Sequence, residues 1–193
     1  MSPVSAMDSA TPPISADVQK LLADRIHDVP DYPKPGVMFK DITPLLADAE
    51  AFSVLTDVLA GIAGRHRATK IVGLEARGFI LGAPVAVRAG VGFVPVRKAG
   101  KLPGATLTQG YDLEYGSARI EVHAEGLAEG DRVLVIDDVL ATGGTAEASV
   151  ELLRRTGAEV VGLAVLLELG FLGGRDRVER ALAGAPLDAL LAV

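Results

Sequence analysis

An aliphatic run, Val133 to Ile136, ends on two adjacent acids, Asp137 and Asp138, and the chain then breaks into Ala141-Thr142-Gly143-Gly144-Thr145. A sheet interior has no use for paired carboxylates, because a buried charge is costly unless it is paired. In an open α/β sheet, ligands bind outside the carboxyl ends of the strands, and the two acids are expected at such an end. There they can accept hydrogen bonds from a pair of vicinal hydroxyls or from the water shell of a divalent cation. Thr142 to Thr145 lead into a helix whose first free N–H groups, with two hydroxyls and two glycines lacking Cβ, make a phosphate-sized cradle. Acids for a sugar beside amides for a phosphate describe a sugar phosphate.

The same letters admit rivals. A strand ending in acids also looks like a Walker B strand, but no G-x-x-x-x-G-K-[ST] is present: at the Gly100-Lys101 pair, Pro95 stands where the first glycine belongs and Leu102 follows. Gly90-x-Gly92 runs into Pro95, so G-x-G-x-x-G is missing too. A nucleotide triphosphatase and a dinucleotide enzyme are both demoted. A plain strand–loop–helix turn, with an Asp cap and glycines for tightness, stays open on this loop alone.

Composition limits what must position these residues. The 193 residues suffice for one domain, with 49% hydrophobic residues, 4% aromatics and 22 glycines, so the core is aliphatic and the turns tight. This suits a mostly parallel α/β fold. A net charge of -6 argues against a nucleic-acid-coating or membrane-surface protein, and the lack of cysteine removes disulfides, thiolate metal sites and a cysteine nucleophile. No apolar run reaches the ~18 residues of a membrane span. Residues 1–14 read as a disordered Ser/Ala/Pro tail without the pattern of a secretory signal, which leaves a cytoplasmic setting as the expectation.

From Ser15, a possible N-cap, helical spacing of Val18, Leu21, Leu22, Ile26 and Val29 predicts a first helix. Prolines and a glycine at 30–36 break it, the stretch 36–46 reads as irregular, and a second helix is expected over 49–66 with Phe52, Leu55, Val58, Leu59 and Ile62 inward. Strand and helix then alternate: strands at 70–75, 91–96, 132–137 and 159–168, helices at 78–90 and after Gly144. Strands apolar on both faces between helices indicate a parallel sheet covered on both sides. Residues 97–130 depart from this; Ala118, Ile120 and Val122 alternate with Arg119, Glu121 and His123 as in an antiparallel flap, a place where active sites acquire lids. The predicted organisation is a single domain over 15–193, with a hood at about 15–48 and the flap at about 97–130.

Here the motifs carry a resemblance. The stretch 133–145 resembles the phosphoribosyl-pyrophosphate signature of the type I phosphoribosyltransferases, and 35–46, 73–79, 97–104 and 111–116 narrow the match, with the motifs in family order from about Asp31 to Leu169. The resemblance implies the fold of that family and transfer of a phosphoribosyl group from 5-phosphoribosyl 1-pyrophosphate, with magnesium carried by the sugar diphosphate. The Phe39 segment and Leu113-Glu114-Tyr115-Gly116 point within the family to adenine as acceptor. Hypoxanthine, xanthine or orotate are alternative acceptors. A phosphoribosyl-pyrophosphate-sensing regulator of DNA is a reading of another class, but only about 30 mostly unbasic residues precede the matched region.

By the same resemblance, Asp137 and Asp138 hold the ribose hydroxyls and reach the metal indirectly through substrate and water, while Ala141, Thr142, Gly143, Gly144 and Thr145 hold the 5-phosphate. Glu75, Ala76 and Arg77 form the pyrophosphate loop, with the Glu75-Ala76 peptide expected to be cis and Arg77 acting in catalysis. Arg97, Lys98 and Lys101 at the flap root neutralise the departing pyrophosphate, and Tyr115 joins them in binding substrate. Glu114 handles a proton at the purine; on spacing alone it reads as a solvated flap carboxylate. Phe39 stacks the base, read also by backbone groups of Met38 and Lys40. A homodimer is implied, with the surface around 30–46 and 76–101 as its interface. His27, His66 and His123 show no ligand or triad spacing and are expected to be surface or core fillers.

Overall fold

The computed structural model describes residues 14–112 and 117–193. In chain order its strands are β1 (His27–Pro30), β2 (Met38–Asp41), β3 (Lys70–Leu74), β4 (Gly92–Lys98), β5 (Thr106–Asp112), β6 (Ser117–His123), β7 (Arg132–Leu140), β8 (Glu159–Glu168) and β9 (Leu187–Ala192). The helices are α1 (Ala16–Ala23), α2 (Thr43–Ala47), α3 (Ala49–Arg65), α4 (Arg77–Ala89), α5 (Gly144–Arg154) and α6 (Gly174–Leu182). Among the described residues the main sheet runs β5-β6-β4-β3-β7-β8-β9, and β1 with β2 makes a separate ribbon. From β4 to β9 the strands are parallel, while β5 and β6 join β4 as an antiparallel hairpin.

The aliphatic strands are buried on both faces, and their period of two divides the core. Ile71, Leu134, Ile136 and Leu166 pack with Leu55, Leu59 and Ile62 of α3 and Leu81 and Val85 of α4. Their neighbours Val72, Val133, Val135 and Val165 pack on the other side with Val150, Leu152 and Leu153 of α5 and Val178 of α6. α3 starts where expected because Asp48 accepts hydrogen bonds from the Glu50 and Ala51 N–H groups at 3.0 Å. A mostly parallel sheet flanked by helices is what the alternation predicts.

Local departures have physical reasons. Ser15 caps α1 as read, accepting from the Val18 N–H at 3.3 Å, but the helix stops at Ala23 and Val29 lies in β1. Ladder pairing wins over helical spacing here: β1 runs antiparallel to β2 from His27↔Asp41 to Pro30↔Met38, and Arg25 is drawn to Asp48 at 2.8 Å. The stretch 36–46 is accordingly not irregular, since it supplies β2 and most of α2. β7 runs on past Asp137 to Leu140, because β8 keeps pairing with it to Leu140↔Glu168 after β3 has stopped at Ile136. The acids therefore sit where β7 outruns β3, just before the end of β7 itself at Leu140. β9 has no counterpart in the sequence reading, as a short apolar run suits helix and strand alike. Asp188, 2% exposed, meets His66 Nε2 at 3.0 Å and ties β9 to the end of α3, which gives that histidine a structural partner.

Candidate functional site

Over the carboxyl ends of β3, β7 and β8 lies a cleft of about 490 Å³, roofed on one side by β2. It brings together most of the predicted set: Met38, Phe39 and Lys40 from the ribbon, Glu75, Ala76 and Arg77 from the turn after β3, Asp137 and Asp138 from β7, and Ala141 and Thr145 from the turn into α5. Thr142, Gly143 and Gly144 complete that turn. Glu114 and Tyr115 lie outside the described residues.

The Glu75-Ala76 peptide is cis, as the family resemblance implies. α4 begins directly after it with no side-chain cap, so its first N–H groups are free of side-chain acceptors. Gly78, in its first turn, lies against β7 so closely that a Cβ there would come 2.7 Å from Ile136 O and 3.0 Å from Asp137 Oδ1. This approach sets Arg77 beside the acids. Arg77 Nε stands 2.6 Å from Asp138 Oδ2, a charge contact without the alignment of a hydrogen bond. Asp138 Oδ2 is thus buried with no hydrogen-bond donor among the described residues, leaving an acceptor for a ligand. The same guanidinium sits 5.0 Å from the centroid of the Phe39 ring, which Tyr32 meets edge-on at 5.0 Å.

Asp137 is less free. Its Oδ1 accepts from the Asp138 N–H at 2.9 Å, and although it keeps partial access to the cleft, dense packing around its carboxyl and the adjacent Asp138 charge raise its pKa well above the ordinary carboxylate value. Across the cleft, α5 also starts without a side-chain cap, from Gly143 at φ 79°. Two uncapped helix N-termini flanking two carboxylates leave room for an anion at each helix and hydroxyls between them. Lys40 turns its ammonium away to Asp28 at 2.6 Å, which leaves its backbone for the cleft.

The flap root differs from the expectation. Arg97, Lys98 and Lys101 stand beside the cleft and do not line it. Glu75 is the reason: it accepts from Arg97 Nε at 3.3 Å and from the Lys98 N–H at 2.8 Å, and these partners hold its pKa below the usual range against burial, the largest opposing influence. Arg97 also donates to Lys101 O at 3.2 Å. Sequence reasoning missed Glu121, placed on the polar side of the β6 alternation yet only 5% exposed. It accepts from the Lys101 and Leu102 N–H groups at 2.9 and 2.8 Å and fixes the loop that starts the flap. Tyr111 of β5 takes a hydrogen bond from Thr145 Oγ1 at 3.2 Å, joining flap to turn. Leu169 and Leu172, which add apolar wall to the cleft, carry no distinguishing signal among so many leucines.

A sequence profile of the phosphoribosyl transferase domain matches residues 51–180. Adenine phosphoribosyltransferase of Streptomyces coelicolor is 78% identical over 176 residues, covering 91% of this chain and 97% of that protein. Among solved structures, adenine phosphoribosyltransferase from Rhodothermus marinus superposes with a TM-score of 0.86 at 47% identity, over 93% of this chain and 100% of the other. The enzyme from Saccharomyces cerevisiae, complexed with an imino-altritol bisphosphate and adenine, gives 0.85 at 36% identity over 92% and 100% of the two chains.

The raised Asp137 pKa has a measurable sign. A carboxyl whose folded pKa exceeds its unfolded one detracts from stability wherever it is ionised, fully above the folded pKa and not at all below the unfolded one. Asp137→Asn should therefore raise the melting temperature at pH 7 to 8 by about 2–4 °C, the shift that ~1 kcal/mol makes in a domain of this size. The gain should shrink as the pH approaches the ordinary Asp value of about 4. Thermal scans across pH check this, and a lower melting temperature at neutral pH would contradict the desolvation.

Proposed function

The chain belongs to the adenine phosphoribosyltransferases of the phosphoribosyl transferase domain family, and on that premise we propose how its cleft moves the phosphoribosyl group from 5-phosphoribosyl 1-pyrophosphate to adenine, giving AMP and pyrophosphate. The observation that carries the reading is the pair Asp137–Asp138 between the uncapped starts of α4 and α5, with Phe39 facing them across one cleft. Diol, 5-phosphate, pyrophosphate and a flat base each have a counterpart there.

A base nitrogen forms a bond to C1 of the ribose as the bond from C1 to the pyrophosphate oxygen breaks, and the base gives up a proton. Asp137 and Asp138 hold the two ribose hydroxyls, Asp138 through the oxygen that lacks a donor. The turn Ala141–Thr145 holds the 5-phosphate on the amides of α5. The amides after Ala76, with Arg77, receive the leaving pyrophosphate, where fixed positive potential acts on charge as it develops. Phe39 stacks adenine, for ~1–3 kcal/mol, with Leu169 as further apolar wall and the Met38 and Lys40 backbones at its edge. Glu114 manages the proton at the purine. Closure of the flap, with Lys98, Lys101 and Tyr115, keeps water from the reacting carbon.

Magnesium is part of the diphosphate substrate in this reading and neutralises its oxygens. Two neighbouring acids suit contact with its waters; among the described residues no group of three or more His, Asp or Glu is placed to hold an ion directly. We further propose that residues 15–193 act as a single domain in a cytoplasmic setting. The proposal also includes a homodimer through the surface at 30–46 and 76–101, supported by the exposed apolar Tyr32, Met38, Ile80 and Val87 on it.

A product assay with magnesium, 5-phosphoribosyl 1-pyrophosphate and each base in turn should give AMP from adenine and little from hypoxanthine, xanthine or orotate; turnover favouring another base would overturn the acceptor. Glu114→Gln should lower kcat by about 10²–10⁴-fold, the range for a lost proton-transfer group, with a smaller change in KM for adenine. Phe39→Ala should raise KM for adenine by about tenfold, equivalent to roughly 1.4 kcal/mol, and spare the sugar diphosphate. Steady-state kinetics in each substrate separate these outcomes.

A further inference from the structure

α6, with the sequence GRDRVERAL, is the most polar helix of the fold, and besides Val178 and Leu182 it buries Gly174, its first residue. Burial of a glycine at a helix start is explained by what it touches. A Cβ on Gly174 would run into Ala141 O and lie 2.9 Å from the Gly143 nitrogen and 3.0 Å from the Ala141 carbonyl carbon. Conversely, a Cβ on Gly143 would lie 2.8 Å from Gly174 O and 3.1 Å from Val178 Cγ2. Two backbones thus meet where neither residue has space for a side chain, and one of them is the turn that opens α5. The obstacles are backbone atoms, which cannot swing aside as a flexible side chain can.

Charged contacts hold α6 in this position. Arg177 pairs with Glu147 in the first turn of α5. Arg175 donates from Nε to Glu168 Oε1 at 2.9 Å, and Glu168, 7% exposed, ends β8. Leu169 next to it donates its N–H to Leu140 O at 2.9 Å, so β7, β8 and the starts of both helices are joined round the turn. The turn itself has no side-chain cap to shape it, and Gly143 at φ 79° leaves it conformationally permissive.

We propose that the start of α6 is a brace that sets the geometry of the Ala141–Thr145 turn, with Gly174 as a positioning residue for binding of the sugar diphosphate. This rests on the reading of that turn as the 5-phosphate site. Amides that converge on an anion must be held within about 0.5 Å of their productive places, and a backing layer supplies that constraint. Gly174 touches no substrate; it acts through Ala141 and Gly143.

The test uses the full chain with Gly174→Ala, Arg177→Gln, Arg177→Lys and, as a direct probe of the turn, Thr145→Val. Gly174→Ala should raise KM for 5-phosphoribosyl 1-pyrophosphate about tenfold or more, in keeping with the cost of an ångström-scale misplacement, while KM for adenine stays within about twofold. Arg177→Gln, at a half-buried position outside the hydrophobic core, should raise the same KM by a smaller factor, and Arg177→Lys should restore part of it. If Thr145→Val raises that KM but Gly174→Ala and Arg177→Gln do not, the brace is overturned and the phosphate reading stands. If Thr145→Val also leaves it unchanged, the phosphate reading falls and the brace with it. Equal rises in both KM values would mark a general structural role and overturn the proposal. Should Gly174→Ala fail to fold, the Arg177 pair decides.

Discussion

Two carboxylates side by side at the end of a buried strand need positive potential close by, and the site of this chain is arranged around that need. Arg77 supplies a full charge at 2.6 Å from Asp138, and the uncapped starts of α4 and α5 supply partial ones. The supply is incomplete by design of the fold: Asp138 keeps a buried oxygen without a donor, and Asp137 holds its proton more tightly than an ordinary aspartate. The cleft is therefore poised to take hydroxyl donors between two places for anions. Gly78 is the hinge of this arrangement, since only a residue without Cβ lets α4 come near enough to β7 to put Arg77 there.

Much of this was legible in the residues. The aliphatic strands, the acids and the glycine turn announced a parallel sheet with those acids and that turn gathered at one cleft, because burial on both faces and a missing Cβ leave marks in composition and spacing. What was not legible depended on pairing between distant segments. Nothing local in 27–30 says that it will lie against 38–41, and helical spacing of Ile26 and Val29 pointed the other way. β7 gained its last residues only because β8 continued beside it.

The charged residues of the flap root were the hardest to read. Arg97 is a conspicuous cation at a strand end, yet its partner Glu75 comes from the preceding crossover, and the pairing makes it part of the scaffold. Glu121 sits among surface-like neighbours, Arg119 and His123, but a loop from 100–102 covers it. Both acids fasten the flap to the sheet through backbone N–H groups, and side-chain chemistry alone does not reveal such a role. The apolar wall residues Leu169 and Leu172 are unreadable for the opposite reason: they are two leucines among many.

The hairpin of β5 and β6 has a consequence apart from catalysis. A parallel sheet ending at β4 would offer a row of unpaired N–H and C=O groups to any other chain. Here β6 covers that edge, and the new outermost strand, β5, is largely polar. Arg155 reaches the Thr108 carbonyl at 2.7 Å, and Gln109 bridges to Glu151, so side chains of α5 and of the residue that ends it already occupy part of what a further strand would use. A bare strand at the sheet margin is an obvious risk for edge-to-edge aggregation. Tying this outer strand to a helix keeps the margin closed to self-association.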